Sequence, residues 1–229
     1  MGVYLGSNAV YFTDNKSVNV EPSVMADLIQ KTIVSYSNSR VSFIGDTAFR
    51  FCHELVSIDL PNVLSLKYQA FESCDSLVSV SFPKLITVGS SAFGHCSLLY
   101  SINLPQAITL SSYAFEYCYF LTTVSIPQVQ SIGRFVFDTC RLLSTISLPC
   151  VTRIESYAFY SCNNLLSIYL MGSSIPVLVS TNVFLTTPIS DYTGSTGGVY
   201  GSIYVPASLY NSYLTATNWS EYSARLKSI

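Results

Sequence analysis

One skeleton returns every 22 residues through the middle of the chain and keeps its spacing over six copies. Each copy follows the pattern Ala-Phe-x-x-Cys-x-x-Leu-x-x-Ile-x-Leu-Pro with minor exchanges. A fixed period of this length is typical of a solenoid, in which each coil buries its apolar side only against its neighbours. The sequence therefore predicts one elongated stack of coils. The best-kept positions are Phe49, Phe71, Phe93, Phe115, Phe137 and Phe159, followed three residues later by Cys52, Cys74, Cys96, Cys118, Cys140 and Cys162.

The second half of each copy has the alternation of a β-strand. In the first full copy, Ile58 and Leu60 are expected to point inward, and Ser57 and Asp59 outward. A proline then ends the strand, because it cannot donate a hydrogen bond to a neighbouring strand. The remaining residues return the chain across the opposite side, and they are too few for more than a helical turn or a brief extended segment.

The segment before the regular array is the candidate N-terminal cap, since a solenoid needs a polar-faced unit at each end. Apolar residues between Val3 and Phe12 predict a short hairpin, with Asp14-Asn15 as its turn. Glu21-Pro22-Ser23 is a helix-start signal, and apolar residues at helical spacing follow it as far as Val34.

The C-terminal end departs from the period. Phe184 stands three residues beyond its expected place, and a glycine-rich connector follows at residues 191–201. Residues 203–206 predict a last strand. The run Asn218-Trp219-Ser220-Glu221 resembles a capping box and predicts a terminal helix. We expect Trp219 to seal the last coil.

Composition and charge exclude several classes of protein. Hydrophobic residues make up 49% of the chain, which is too many for a disordered segment. A net charge of −2 gives no reason to expect nucleic acid or an anionic membrane as partner. Polar residues and prolines interrupt the long uncharged middle of the chain, so no membrane span is expected. The N-terminal MGVYLGSNAV shows no signal-peptide pattern.

Six of the seven cysteines share one repeat position, and Cys150 lies outside the series. Stacked coils lie close enough for disulfides, so geometry alone does not exclude them. A residue needed once per coil is better explained as a small buried group, because free cysteine packs as a small hydrophobe with a weak S–H donor. We therefore expect reduced, buried thiols.

Nothing in the sequence predicts catalysis. The two histidines, His53 and His95, stand at different repeat positions, so the repeat does not bring them together. The cysteine spacing does not resemble a zinc-ligand pattern, and no hydrolase or protease motif occurs. We expect a protein without enzymatic activity, cofactor or metal.

Residues one period apart become neighbours on successive coils, so surface columns can be listed directly. Leu98, Phe120 and Leu142 form one apolar column, and Tyr113, Phe135 and Tyr157 form an aromatic one. Exposed apolar groups in contact with one another mark interaction sites, and tyrosine is favoured at binding hot spots. The alternative, which is equally open, is that these side chains stack between coils and only stabilise the array. The candidate ligand-binding residues are Tyr113, Phe135, Tyr157, Tyr100, Phe120 and Tyr119.

A second column faces outward from the strands and consists of hydroxyl groups. Two alternatives are open: these side chains solvate the sheet and support it by cross-strand pairing, or they contribute to a binding face. The column is Ser57, Ser79, Ser101, Thr123, Thr145 and Ser167.

The repeat is similar to that of the BspA-type (Treponema-type) leucine-rich repeat family. The resemblance covers roughly residues 37–229 and is carried by segments such as VSIDLPNVLSLKYQAFESCDSL and TTVSIPQVQSIGRFVFDTCRLL. The C-terminal SIPVLVSTNVFLTTPI resembles the degenerate repeat with which the family ends. The resemblance implies a right-handed α/β solenoid with a parallel sheet on one face and a helical C-terminal cap. Val136 replaces the usual alanine, and Met171 the usual proline.

The resemblance also implies a bacterial surface or secreted protein that binds matrix proteins, other cells or host ligands. We thus expect residues 1–36 to form an N-terminal cap segment, 37–170 the repeats, and 171–229 a degenerate repeat with the C-terminal cap. The expected function is non-catalytic recognition or adhesion through an extended face, without nucleic acid and without membrane insertion. A phage or prophage receptor-binding module and a passive spacer are the alternatives.

Overall fold

A computed structural model describes residues 3–6, 9–12, 33–39, 41–190 and 200–229. Its body is a stack of coils in which a three-residue strand and a two-residue strand alternate along the chain. The strands of the array are β3 (Ser35–Ser37), β4 (Phe43–Ile44), β5 (Ser57–Asp59), β6 (Ser65–Leu66), β7 (Ser79–Ser81), β8 (Thr87–Val88), β9 (Ser101–Asn103), β10 (Thr109–Leu110), β11 (Thr123–Ser125), β12 (Ser131–Ile132), β13 (Thr145–Ser147), β14 (Arg153–Ile154), β15 (Ser167–Tyr169) and β16 (Val177–Leu178).

The strands form two parallel ladders, one on each side of the position that proline occupies in most coils. The even-numbered strands β4 to β16 make one seven-stranded sheet. The odd-numbered strands pair parallel in three segments, β3-β5-β7, β9-β11 and β13-β15, and the last segment continues to the C-terminus. The strand predicted from the Leu-x-x-Ile-x-Leu alternation is confirmed by the odd-numbered ladder. The expected parallel sheet on one face is thus present, and the even-numbered ladder adds a second parallel sheet, whose two-residue strands are too short for alternation to reveal.

The third side of each coil is a turn that is also hydrogen-bonded to the next coil. Phe71 donates its N–H to the carbonyl of Ala92 at 2.8 Å, and Ser73 donates to Gly94 at 2.9 Å. The residues two before and two after the repeated phenylalanine have left-handed backbones, with φ between 53° and 64°. Those before it are Thr47, Gln69, Ser91, Tyr113, Phe135 and Tyr157, and those after it are Phe51, Ser73, His95, Tyr117, Thr139 and Ser161.

The core contains a continuous stack of the repeated phenylalanines. From Phe49 to Phe184 the ring centres of successive coils lie 5.0–5.6 Å apart, with planes within 20° of parallel. All of these rings are buried. Val136 takes the place of the usual alanine without exposed surface, whereas Met171 is exposed.

The repeated cysteines are buried thiols, and those from Cys74 onward are hydrogen-bonded to the coil before them. Cys74 donates its Sγ–H to the carbonyl of Phe49 at 3.0 Å, and Cys118 donates to Phe93 at 3.2 Å. The same bond recurs at Cys96, Cys140 and Cys162 at 3.0–3.2 Å. All seven cysteines are free and only Cys150 is exposed, which confirms the predicted buried thiols.

A separate antiparallel hairpin precedes the array. Its strands are β1 (Val3–Gly6) and β2 (Ala9–Phe12), paired from Val3↔Phe12 to Gly6↔Ala9. The chain therefore reverses between Gly6 and Ala9, and the prediction that Asp14-Asn15 forms the turn is wrong. Most of the helix predicted from Glu21 to Val34 lies outside the described residues.

The C-terminal residues cover the last coil. Strand β17 (Ser202–Val205) pairs with β15 and with β18 (Leu226–Ser228). Between β17 and β18 lie a short helix α1 (Tyr210–Tyr213) and a 3₁₀ helix (Ser220–Arg225). The predicted glycine-rich connector falls mainly on residues 191–199, which lie outside the described residues.

Trp219 seals this end, as predicted. Its ring is buried, and its indole N–H donates to the carbonyl of Pro176 at 2.7 Å. The predicted capping box is wrong, because the 3₁₀ helix has no side-chain cap. The side-chain amide of Asn218 donates instead to the carbonyl of Leu178 at 2.8 Å, and this residue has φ 63°.

Candidate functional site

Tyr113, Phe135 and Tyr157 form a stacked aromatic column on the turn side of three successive coils. The ring centres of Tyr113 and Phe135 lie 5.3 Å apart with planes 7° from parallel, and those of Phe135 and Tyr157 lie 4.8 Å apart at 2°. Tyr113 is exposed, and the other two rings are half-buried. The three residues that the period predicted to meet are therefore in direct contact.

The backbone does not select aromatic residues at these positions. All three have left-handed φ angles of 55–64°, a conformation that glycine and asparagine adopt most easily and that is unusual for bulky side chains. The equivalent residue of the preceding coil is Ser91, with φ 53°. Since a small residue serves the turn equally well, the rings are explained by their own contacts or by what they bind.

The far end of the column is closed by a fourth ring. Tyr160 meets Phe135 edge-on at 6.4 Å and Tyr157 edge-on at 5.9 Å. The hydroxyl of Tyr157 accepts a hydrogen bond from the side-chain amide of Asn182 at 3.1 Å. The Arg134 guanidinium lies 5.8 Å from the centre of the Phe135 ring, within cation–π range. The column is thus held rigidly from Phe135 onward.

Tyr119 belongs to a second group, here called the tyrosine cluster, with Tyr117, His95 and Arg141. The Tyr117 and Tyr119 rings are 5.9 Å apart, and the His95 ring is 4.7 Å from that of Tyr117. The guanidinium of Arg141 lies 5.0 Å from the Tyr119 ring centre. This cluster combines aromatic surface with one positive charge.

The other two candidate residues join neither group. Tyr100 is 55% exposed and Phe120 is 49% exposed. In the described part of the chain, no ring contact connects either of them to another aromatic residue. Leu98 and Leu142 beside them are also exposed. The six candidates therefore divide into a stacked column, a mixed cluster and two isolated exposed rings.

Three acidic residues near the aromatic column share one repeat position, directly after the repeated phenylalanine: Glu72, Glu116 and Asp138. Glu72 forms an ion pair with Arg50 one coil earlier and accepts a hydrogen bond from Gln69 at 2.9 Å. The two residues lie 22 positions apart in the sequence, and the Glu72 carboxylate is largely buried, with 13% of the side chain exposed.

Glu116 has no such partner. Within the described residues, no side chain donates a hydrogen bond to its carboxylate. Its pKa is raised to about 7, mainly by burial and in smaller part by the negative charges of Asp138 and Glu72. Asp138 on the next coil is buried, and this burial raises its pKa, although a hydrogen bond from Thr139 at 2.6 Å partly offsets the effect.

The sheet face of the odd-numbered strands is mostly small and polar. Its hydroxyl column is in register, with Ser57 opposite Ser79 and Thr145 opposite Ser167. At the C-terminal end of this face, the rings of Tyr169 and Tyr204 stack at 4.6 Å and 9°. This aromatic pair is the most distinctive feature of the face.

The cysteines do not form a nucleophilic site. Burial raises the pKa of the Cys118, Cys140 and Cys162 thiols, which favours their S–H form, and each of the three donates to a backbone carbonyl. His53 contacts Asp75 at 2.7 Å, but both side chains are about half exposed at 54% and 52%. Among the described residues there is no group of three side chains placed to hold a metal ion, and no helix long and apolar enough to cross a membrane.

Several of these residues were not found from the sequence. Tyr160, Glu116 and Asp138 share one repeat position, so the position after the phenylalanine would have revealed them if its column had been compared. Tyr204 gave no such signal, since it lies 35 residues after Tyr169 rather than 22.

The repeat sequence matches one known protein family. Residues 28–128 and 108–194 match the BspA type leucine rich repeat region, in six copies. A search of curated proteins found no match. A leucine-rich repeat protein from Eubacterium ventriosum superposes with a TM-score of 0.67 at 23% identity, over 83% of this chain and 51% of that one. A leucine-rich repeat protein from Bacteroides ovatus superposes with a TM-score of 0.53 at 17% identity, over 99% of this chain and 74% of that one.

The chain spans about half the length of the Eubacterium ventriosum protein. Both likenesses concern the fold, and the repeat match covers most of the described array. The chain belongs to the BspA-type leucine-rich repeat family.

Proposed function

We propose that this protein is a non-catalytic recognition or adhesion module that binds a protein or cell-surface ligand through its turn side. The observation that carries the proposal is the aromatic column of Tyr113, Phe135 and Tyr157. Its rings stand at left-handed positions where a small residue would serve the fold, and part of their surface remains exposed. The proposed location at the bacterial cell surface rests on the family.

The column has the properties of a binding hot spot. Tyrosine and other large aromatic groups contribute strongly at interfaces because they bury a large area for few rotatable bonds. Stacking against neighbours and the Asn182 hydrogen bond already restrict these rings, so little side-chain entropy is lost on binding. The tyrosine cluster lies on the same series of coils and offers additional aromatic contacts.

The test replaces Tyr113, Phe135 and Tyr157 together by serine, the residue that Ser91 supplies at this position one coil earlier. Exposed Leu64 and Ile86, changed together to serine, are the matched control. Binding is measured on immobilised extracellular-matrix proteins, intact bacterial cells and cultured epithelial cells, with thermal unfolding recorded for every variant.

We expect the aromatic variant to lose binding at least about tenfold, which corresponds to about 1.4 kcal/mol, while the control binds like the parent protein. Binding to bacterial envelopes alone favours the receptor-binding alternative. Unchanged binding by a folded aromatic variant refutes the aromatic column as the site, and a parent protein that binds none of these surfaces supports a passive spacer.

A further inference from the structure

The odd-numbered sheet ends in a column of three large side chains that its earlier strands lack. Tyr169 on β15 lies in register with Tyr204 on β17, and Tyr204 lies in register with Lys227 on β18. On the other side of Tyr169, the residue in register is Ser147 on β13. The fold does not require a ring at this position, because the other strands carry shorter side chains there, namely Ser37, Asp59, Ser81, Asn103 and Ser125.

The three side chains stand on the outer side of the sheet. The residues just before Tyr204 and Lys227 are buried, so the alternating residues point away from the core. Tyr169 and Tyr204 are half-buried, and Lys227 is exposed. The two rings stack on each other at 4.6 Å, and Ser147, itself exposed, has no ring to cover the other face of Tyr169. The column thus offers aromatic surface with a cation on the neighbouring strand.

The positive charge of Lys227 has no counterpart on this part of the sheet. It forms no ion pair within the part of the chain that the structure describes. The outward positions of the three strands before it carry no acidic residue, and they are Thr145, Ser147, Ser167, Tyr169, Ser202 and Tyr204. A lone cation on an otherwise uncharged face is complementary to a ligand with an isolated negative group.

Hydroxyl groups lie beside the rings and are available to a ligand. Thr145, Ser167 and Ser202 form a second column in register across three strands. Their hydroxyls make no hydrogen bond with any described residue, whereas those of Thr122 and Thr152 donate to backbone carbonyls at 3.1 Å and 3.0 Å. Each hydroxyl can donate and accept. A surface of hydroxyls and rings, without aliphatic side chains, suits a sugar better than the apolar surface of a protein partner.

We propose that the column of Tyr169, Tyr204 and Lys227 binds a uronic acid unit of a linear polysaccharide. The C–H groups of the pyranose pack on the exposed part of the tyrosine rings, and its carboxylate pairs with the Lys227 ammonium. The hydroxyls of Ser167 and Ser202 bond to sugar hydroxyls. A linear chain suits the site because the outward side chains continue small and polar from β15 toward β11. The site is separate from the turn side, so it adds a glycan ligand to the proposed function without depending on it.

The experiment uses three uronic acid polysaccharides, hyaluronan, unsulfated chondroitin and polygalacturonate, each coupled by its reducing end to a sensor surface. Each is also presented with its carboxylates reduced to primary alcohols, which keeps the sugar rings and removes the charge. At pH 7 and low ionic strength we expect the protein to bind at least one of the three, and its carboxyl-reduced form at least about tenfold more weakly. Added salt should weaken the binding, because exposed charges are screened.

Two variants remove the two halves of the site. Lys227→Gln removes the charge at similar length, and Tyr169→Ser supplies the residue that Ser147 provides in the same column. We expect each to lower the affinity at least about tenfold. Lys67→Gln and Tyr68→Ser change an exposed lysine and an exposed tyrosine elsewhere, and they should bind like the parent protein. Thermal unfolding is recorded for all four, and Lys227→Gln, at an exposed position, tests the site without disturbing packing.

The inference is overturned if the protein binds none of the three polysaccharides, binds the carboxyl-reduced forms equally well, or keeps its affinity in Lys227→Gln. Equal or stronger binding to immobilised polyglutamate also overturns it, because the ligand would then be an acidic protein segment rather than a sugar. The triple aromatic variant of the turn side should bind the polysaccharide like the parent protein. Loss of polysaccharide binding in that variant would assign this ligand to the aromatic column instead, whereas loss of binding to cells or matrix proteins alone would leave two separate sites.

Discussion

At the residue scale, the repeated cysteine solves a problem that recurs in every coil. The carbonyl of Phe115 accepts the N–H of Cys118 at 3.3 Å and the Sγ–H of Cys140 at 3.2 Å. A buried carbonyl keeps both of its lone pairs occupied in this way. Alanine would lack the donor, and serine would bring a hydroxyl whose own acceptor sites stay unpaired in an apolar interior. Cysteine is small and apolar enough for the core and still donates a weak hydrogen bond.

Replacing one thiol tests this role. We expect Cys118→Ala to lower the free energy of unfolding by about 1–2 kcal/mol, because it removes buried sulfur and one inter-coil hydrogen bond. Exposed Cys150→Ala is the control and should change stability by less than about 0.5 kcal/mol. Urea unfolding measures both. A thiol reagent applied to the native protein should label Cys150 promptly and the other six only on unfolding, so rapid labelling of Cys118 would contradict the burial argument.

At the scale of single elements, the sequence pattern predicts some strands and contacts of the array and does not reveal others. The odd-numbered strands follow from alternation, and the contact between Tyr113 and Phe135 follows from the 22-residue period. The even-numbered strands have two residues each, too few for a pattern to be recognised. The electrostatic interaction of Glu116 with Asp138 acts down a column of the array, and the order of charges along the chain does not reveal it because the two residues lie far apart there.

Sequence patterns of a few residues did not predict the C-terminal structure where contacts with distant residues determine it. Asn218 belongs to a run with the composition of a capping box, yet its amide is taken by the carbonyl of Leu178, 40 residues earlier. Tyr204 meets Tyr169 only because the last coil contains a longer connection than the others. Neither contact leaves a trace in the neighbouring residues, so a single sequence predicts the regular coils better than the C-terminal cap or the candidate site.

Two glycines on neighbouring parts of the turn side differ sharply in the space around them. At Gly133 an added Cβ would lie 2.6 Å from the nitrogen of Ser112 and 2.9 Å from the carbonyl carbon of Ser111. We expect Gly133→Ala to cost about 1–3 kcal/mol, because rigid backbone must shift. Gly94→Ala should leave stability unchanged or raise it by up to about 1 kcal/mol through the lower entropy of the unfolded chain. Thermal and urea unfolding of the two variants, under identical conditions, compares them. Equal losses would mean that the fold requires glycine at position 94 as well.

At the scale of the whole molecule, stability is distributed along a one-dimensional stack. Each coil contacts only its neighbours, so the interfaces add up and the two end coils need covers. Tyr36 covers the phenylalanine stack at one end, where its ring centre lies 5.4 Å from that of Phe49. At the other end Trp219 and Tyr222 lie against Phe184, at 6.4 Å and 5.1 Å. The aromatic column proposed above as the binding surface begins on a middle coil at Tyr113 and ends at Tyr157, which is hydrogen-bonded to Asn182 of the last coil.

Removing the C-terminal cover tests this view of the array. Trp219 is buried, donates a hydrogen bond to Pro176 and meets Tyr213 edge-on at 5.2 Å. We expect Trp219→Ala to lower the free energy of unfolding by about 3–5 kcal/mol. Trp219→Phe keeps an aromatic ring but loses the hydrogen bond, so it should cost less. Because each interface depends only on adjacent coils, amide hydrogen exchange should quicken first around Phe184 and Leu178, while amides near Phe93 keep most of their protection. Uniform acceleration along all coils would instead mean that the stack unfolds as one cooperative unit, with the cap stabilising distant coils as much as its neighbours.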